Sequence, residues 1–218
     1  MSENNLVNFV FLDSRIDTRR NPRDALAGFA TAILTTNEIE MTSLKQVVEH
    51  VINSLRPNQK IGVLQIIDHG DAVGQEFGSD LITHMFLLGK GLGKLEWRQH
   101  LMRLKGKFGK DGYIHLAGCK VGQSVYTMME ISKLTGAPVF AGTGNTTASG
   151  HNTGSYVLVD AAKSKLSYRY ETGSPSVEAL NKGREMPMGS RVPTSDVFDR
   201  MRMRANVVKI VFKAIAGS

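Results

Sequence analysis

The sequence predicts an α/β domain built as a three-layer sandwich: a mostly parallel central sheet with helices on both faces. Three observations carry this. Short, near-continuous apolar runs recur along the chain, as strands buried on both faces require. Stretches with helical spacing of apolar residues separate them. At two places a run ends abruptly in glycine beside a reactive side chain.

The first run, Leu6 to Leu12 (LVNFVFL), is rich in β-formers and leads into an arginine-rich loop, after which a helix is expected from about Asp24 to Leu34. A second helix follows over Leu44 to Leu55, where Val47, Val48, Val51, Ile52 and Leu55 make one stripe. Ile61 to Ile67 (IGVLQII) reads as a buried strand ending at Asp68-His69-Gly70. Leu95 to Leu104 reads as helix, Tyr113 to Ala117 (YIHLA) as the next strand, ending at Gly118-Cys119, and Val125 to Leu134 as helix. Pro138 to Ala141 is a last short strand before a Gly/Thr/Ser/Asn loop. No internal repeat is visible.

The 218 residues are 41% hydrophobic, enough for a real core, which excludes a disordered or fibrous chain. The longest apolar runs fall far short of the roughly 20 residues of a membrane-spanning helix, so no transmembrane segment is expected. The first residues, Met-Ser-Glu-Asn-Asn, show no secretory signal. One cysteine permits no intrachain disulfide, and a reducing, cytoplasmic setting is the expectation.

Of the net +7, residues 173–218 hold +4, from eight basic and four acidic side chains. Pro175, Pro187 and Pro193 fall there amid Gly and Ser, so a boundary is placed near 172: an α/β domain over 1–172, then a linker and a basic C-terminal helix over 173–218. Thr194-Ser195-Asp196 offers its N-cap, and Val197, Phe198, Met201, Val208, Val211, Phe212 and Ile215 recur at helical spacing between Arg and Lys. Such a helix either packs on the domain or presents a basic amphipathic face to a partner protein or an anionic surface.

In parallel sheets, function gathers at the carboxyl ends of strands. His69 and Cys119 both stand there. If their strands are neighbours, the two side chains leave the same sheet edge one or two strand spacings of ~4.8 Å apart. A thiol nucleophile needs a base or a thiolate-stabilising partner, and an imidazole supplies either. The backbone N–H groups of Gly70 and Cys119 are candidate oxyanion donors. The plain alternatives are an inert core cysteine and a structural histidine. His115 shares a strand with Cys119 but stands ~13 Å away along an extended chain at ~3.3 Å per residue, too far to be its base. His50, His84 and His100 suit packing or surface roles, and His151 lies in the Gly-rich loop. One cysteine with scattered histidines makes no zinc site, and no metal or cofactor is expected. Gly142-Thr143-Gly144 lacks the Gly-Lys-Ser/Thr of a phosphate loop. Trp97 beside basic residues reads as a buried ring on a solvated helix, so nucleic acid is not an expected partner.

The pair IGVLQIIDHG and YIHLAGC, with 50 residues from His69 to Cys119, resembles the caspase-like cysteine peptidases, and most of all the caspase-like domain of large bacterial surface adhesins and self-cleaving toxin domains. The stretch Leu134 to Ala141 fits the Thr-Gly-x-x-Val strand of that pattern, and the likeness covers roughly residues 5–160. The Gln-Ala-Cys form of true caspases is absent; this chain has Ala117-Gly118-Cys119. The resemblance implies a caspase-like fold, Cys119 as nucleophile, His69 as general base and acid, and an oxyanion hole from the Gly70 and Cys119 amides. It implies hydrolysis of a protein or peptide through a thioester, with self-processing or a dedicated partner as the source of substrate, and Gly142 and Thr143 in a loop lining the substrate groove. An arginine after the first strand reads an acidic residue in caspases; Arg15 occupies that loop here with Arg19, Arg20 and Arg23, which also suit solvated surface charge. The competing reading is a catalytically silent caspase-like module whose basic C-terminal helix binds a protein, a membrane or nucleic acid.

Overall fold

A computed structural model describes residues 5–13, 38–90, 95–146, 152, 154–163, 165–169 and 184–187. Eight strands form one sheet, in the order β10-β9-β8-β7-β6-β3-β1-β2. Strands β1 (Leu6–Asp13), β2 (Glu38–Met41), β3 (Lys60–Ile67), β6 (Phe108–Leu116) and β7 (Val139–Gly142) pair in parallel. Strands β8 (Tyr156–Asp160), β9 (Lys165–Arg169) and β10 (Arg184–Pro187) continue the sheet antiparallel. A separate hairpin, β4 (Gly74–Phe77) and β5 (Asp80–Thr83), follows β3. The chain is thus α/β with a mostly parallel mixed sheet. Strand β10 lies inside the stretch read from sequence as a linker. The expected helices at 24–34 and 194–215 lie outside the described residues, as does Arg15.

The helices are α1 (Leu44–Ser54), α2 (His84–Leu87), α3 (Leu95–Met102) and α4 (Val125–Thr135). Helix α1 starts because the Ser43 hydroxyl accepts the Gln46 N–H at 3.2 Å, while Asp80 of the hairpin accepts the Leu44 N–H at 3.0 Å. Helix α4 ends at Gly136, whose φ of +71° suits glycine, two residues before Pro138.

Side-chain parity sorts the strands onto two faces. Phe9, Phe11, Leu64, Ile66, Ile114, Leu116, Val139, Ala141, Val157 and Val159 join one core cluster with Val47, Val48 and Val51 of α1, Leu101 of α3, and Met128 and Ile131 of α4. All the described helices therefore pack on one face. Burying each of these side chains contributes about 1.5–3 kcal/mol. Trp97 is a core residue here, beside Phe86. Arg98 ties the layer together: it donates to the Leu87 carbonyl at 3.1 Å and pairs at 3.6 Å with the buried Glu130.

The other face carries the intervening residues: Val10, Ile67 and Ala117 in one cluster, Phe140, Tyr156 and Leu158 in another. Among the described residues no helix is long and apolar enough to cross a membrane.

Candidate functional site

Strands β3 and β6 are paired neighbours, with Ile66 opposite Leu116 and the Ala117 N–H donating to the Ile66 carbonyl at 2.8 Å. The segments Asp68-His69-Gly70 and Gly118-Cys119 consequently leave the sheet side by side. Their backbones touch. A Cβ on Gly118 would stand 2.5 Å from Gln75 Oε1 and 3.0 Å from the Gly70 Cα, and one on Gly70 would stand 2.3 Å from Val121 Cγ2. Both glycines are required by close approach.

His69 is exposed and its imidazole bonds to no described residue. Its backbone is held firmly. The Asp68 carboxyl accepts the His69 N–H at 2.6 Å, and the His69 carbonyl accepts the Glu76 N–H at 2.9 Å and Gln75 Nε2 at 3.2 Å. Cys119 is half-buried. The Thr146 N–H points at its sulfur, 3.4 Å away. Lys120, next in sequence, has φ +61°, the only non-glycine φ in the left-handed region among the described residues. That conformation costs on the order of 1 kcal/mol and turns the chain sharply after the sulfur. The backbone N–H groups of Gly70 and Cys119 donate to no described residue.

Asn152 holds the wall of the site. It is buried and accepts the Gly144 and Gly154 N–H groups at 2.8 and 2.9 Å. It also donates to the Gly144 carbonyl at 2.9 Å and reaches the Thr146 hydroxyl at 3.5 Å. The Thr146 hydroxyl in turn donates to the Gly118 carbonyl at 3.2 Å, closing a loop around Cys119.

Gly142 and Thr143 are differently placed. A Cβ on Gly142 would stand 2.1 Å from Asn152 Cγ, so this glycine makes room for the network. The Thr143 hydroxyl accepts the Ser155 N–H at 2.8 Å and so binds the loop to the start of β8. His50 packs on Phe9 and Phe11, and His84 on Tyr126. His115 lies flat on Phe140, with centroids 4.2 Å apart, and burial pushes its imidazole down to about 3. His151 lies outside the described residues.

A feature the sequence did not reveal sits under His69. The carboxylates of Asp13, Asp68 and Glu76 come within 4.8 Å of one another, near enough to bind a cation. Asp13 and Asp68 share a hydrogen bond. Burial foremost, and that bond next, push Asp68 up to about 8. A second Asp68 oxygen accepts the Gly78 N–H at 2.7 Å, which fixes the β4–β5 turn to the end of β3.

The folded Asp68 thus keeps a proton that the unfolded chain releases near pH 4. Its stabilising effect is full below that pH and is lost as pH rises towards about 8, at about 1 kcal/mol per pH unit. Asp13→Asn removes one cause of the shift but leaves the burial. Urea midpoints measured between pH 5.5 and 8, with a chelator present, should fall less steeply in Asp13→Asn than in the wild type; equal slopes would show that Asp13 plays no part.

Comparison with known proteins gives no match: no family model, curated protein or solved structure is similar to this chain.

Proposed function

We propose that the chain is a cysteine endopeptidase with a caspase-like arrangement, in which Cys119 is the nucleophile and His69 the general base and acid. The observation that carries this reading is the meeting of two glycine-bearing loops at one sheet edge. They offer a half-buried thiol, an imidazole unengaged by the described residues, and the two open backbone donors of Gly70 and Cys119.

Each part has a chemical task. The Cys119 sulfur attacks the peptide carbonyl carbon while His69 takes the thiol proton. The Gly70 and Cys119 N–H groups receive the charge that develops on the carbonyl oxygen, and the Thr146 N–H favours charge on sulfur before attack. His69 then hands its proton to the departing amine, leaving a thioester. Water, deprotonated by His69, attacks the thioester and releases the acid and the thiol. The substrate is a protein or peptide, with self-processing or a dedicated partner protein as its source.

The test is labelling by a peptide bearing a thiol-reactive electrophile. Wild-type protein should label at Cys119 alone, and labelling should vanish in Cys119→Ala and fall sharply in His69→Ala. Slow labelling at the same rate with and without His69 would overturn the reading.

A further inference from the structure

On the sheet face opposite the described helices, a small pocket open to solvent lies at the carboxyl edge. Gln65, His115, Gly118, Thr146, Asn152 and Tyr156 help line it. Two of these also frame the nucleophile: Gly118 precedes Cys119, and the Thr146 N–H points at its sulfur. A substrate side chain in this pocket would lie next to the bond under attack.

The described lining holds no Lys, Arg, Asp or Glu. It mixes apolar walls from Ile67, Leu116 and Ala117 with a few polar groups. Gln65 is only 3% exposed, yet its carboxamide bonds to no described residue. His115 is held against Phe140, and its side chain likewise bonds to no described residue. The neutral imidazole that its depressed pKa implies offers one donor and one acceptor. The Tyr156 hydroxyl accepts the Asn152 N–H at 3.3 Å, which leaves its own proton to donate.

Convergent, unpaired and uncharged donors and acceptors select by elimination. A carboxylate or a cation would lose its hydration with no countercharge among these residues. An aliphatic group would leave Gln65 and His115 unpaired in a drier environment, the costly outcome for buried polar groups. A side chain that both donates and accepts satisfies them.

On the premise that Cys119 cleaves peptides, we infer that this pocket receives the carboxamide of an asparagine or glutamine on the amino side of the scissile bond, with Gln65 and His115 as its partners.

Two measurements on the full chain test it. With fluorogenic peptides that differ only at that residue, kcat/KM for asparagine or glutamine should exceed that for aspartate, arginine and leucine at least tenfold. Gln65→Leu and His115→Phe should each reduce that preference about tenfold while leaving the leucine peptide within a few fold. A preference for aspartate or arginine, or one that survives both substitutions, overturns the inference. The second measurement needs no catalysis: in Cys119→Ala, the His115 ring resonances are followed by NMR as peptides ending in asparagine, glutamine or norleucine are added. Shifts caused by a carboxamide peptide alone support the pocket, even if no peptide is cleaved, in which case only the peptidase reading fails. No shift with any carboxamide peptide overturns the pocket, whatever the hydrolysis assay shows.

Discussion

His69→Ala should lower kcat/KM for peptide hydrolysis by about 10²–10⁴-fold while leaving the folding free energy within about 0.5 kcal/mol of wild type. The two halves of this expectation have separate causes. The imidazole is exposed and engaged by no described residue, so its removal opens no cavity and strands no partner. The backbone bonds that shape the loop, from Glu76 and Gln75 to the His69 carbonyl and from the His69 N–H to Asp68, survive the substitution. A structural histidine would give the reverse pattern, with stability lost and any activity lost along with it. Urea denaturation and steady-state kinetics on the same preparation separate the two. The loss should fall on kcat, because the imidazole moves a proton in the transition state and does not grip the substrate. A loss confined to KM, or activity unchanged, would remove His69 from the chemistry.

The parallel part of the fold was legible in the sequence because strands buried on both faces must be apolar without interruption. IGVLQII and YIHLA read as strands on that ground alone, and so did the placement of His69 and Cys119 just beyond them. What stayed hidden has little apolar signal of its own. Strand β2 is Glu-Ile-Glu-Met, a four-residue edge strand paired on one side. Strand β4 is Gly-Gln-Glu-Phe, and its register comes from the turn at Gly78, where a Cβ would stand 2.2 Å from the Thr42 carbonyl. The antiparallel extension through β8, β9 and β10 depends on the loop after Gly142 reversing the chain, which no periodicity announces. The site divided in the same way. A strand-end cysteine and histidine can be read locally, but Asp13 meets Asp68 only because β1 and β3 are neighbours. Thr146 and Asn152 lie in a Gly/Thr/Ser/Asn loop whose composition gives no hint of which amide is buried.

Asn152 is the residue whose loss should cost most in stability. Asn152→Ala leaves the Gly144 and Gly154 N–H groups without their partner, in a place where the side chain is 3% exposed, while the Gly144 carbonyl keeps the Lys120 N–H at 2.7 Å. At about 1–3 kcal/mol for each of these two stranded groups, partly relieved by relaxation, the substitution should cost about 2–4 kcal/mol. Asn152→Asp keeps the oxygen that accepts both N–H groups but sets a second carboxylate oxygen against the Gly144 carbonyl, so it should be destabilising by a smaller amount. Gly142 supplies the internal check. Its added methyl in Gly142→Ala would run into Asn152 Cγ and Nδ2, so that substitution should be costly alone and less so in the Asn152→Ala background, where those atoms are gone and only the Cβ, 2.7 Å away, remains. Urea unfolding of the two single variants and the double variant measures the coupling. The Asn152 amide also reaches the Thr146 hydroxyl at 3.5 Å, and the Thr146 N–H points at the sulfur, so alkylation of Cys119 by a small neutral electrophile should also slow in Asn152→Ala. Additive costs for Gly142→Ala and Asn152→Ala, with Cys119 reactivity unchanged, would show that the loop is held by something other than the Asn152 amide.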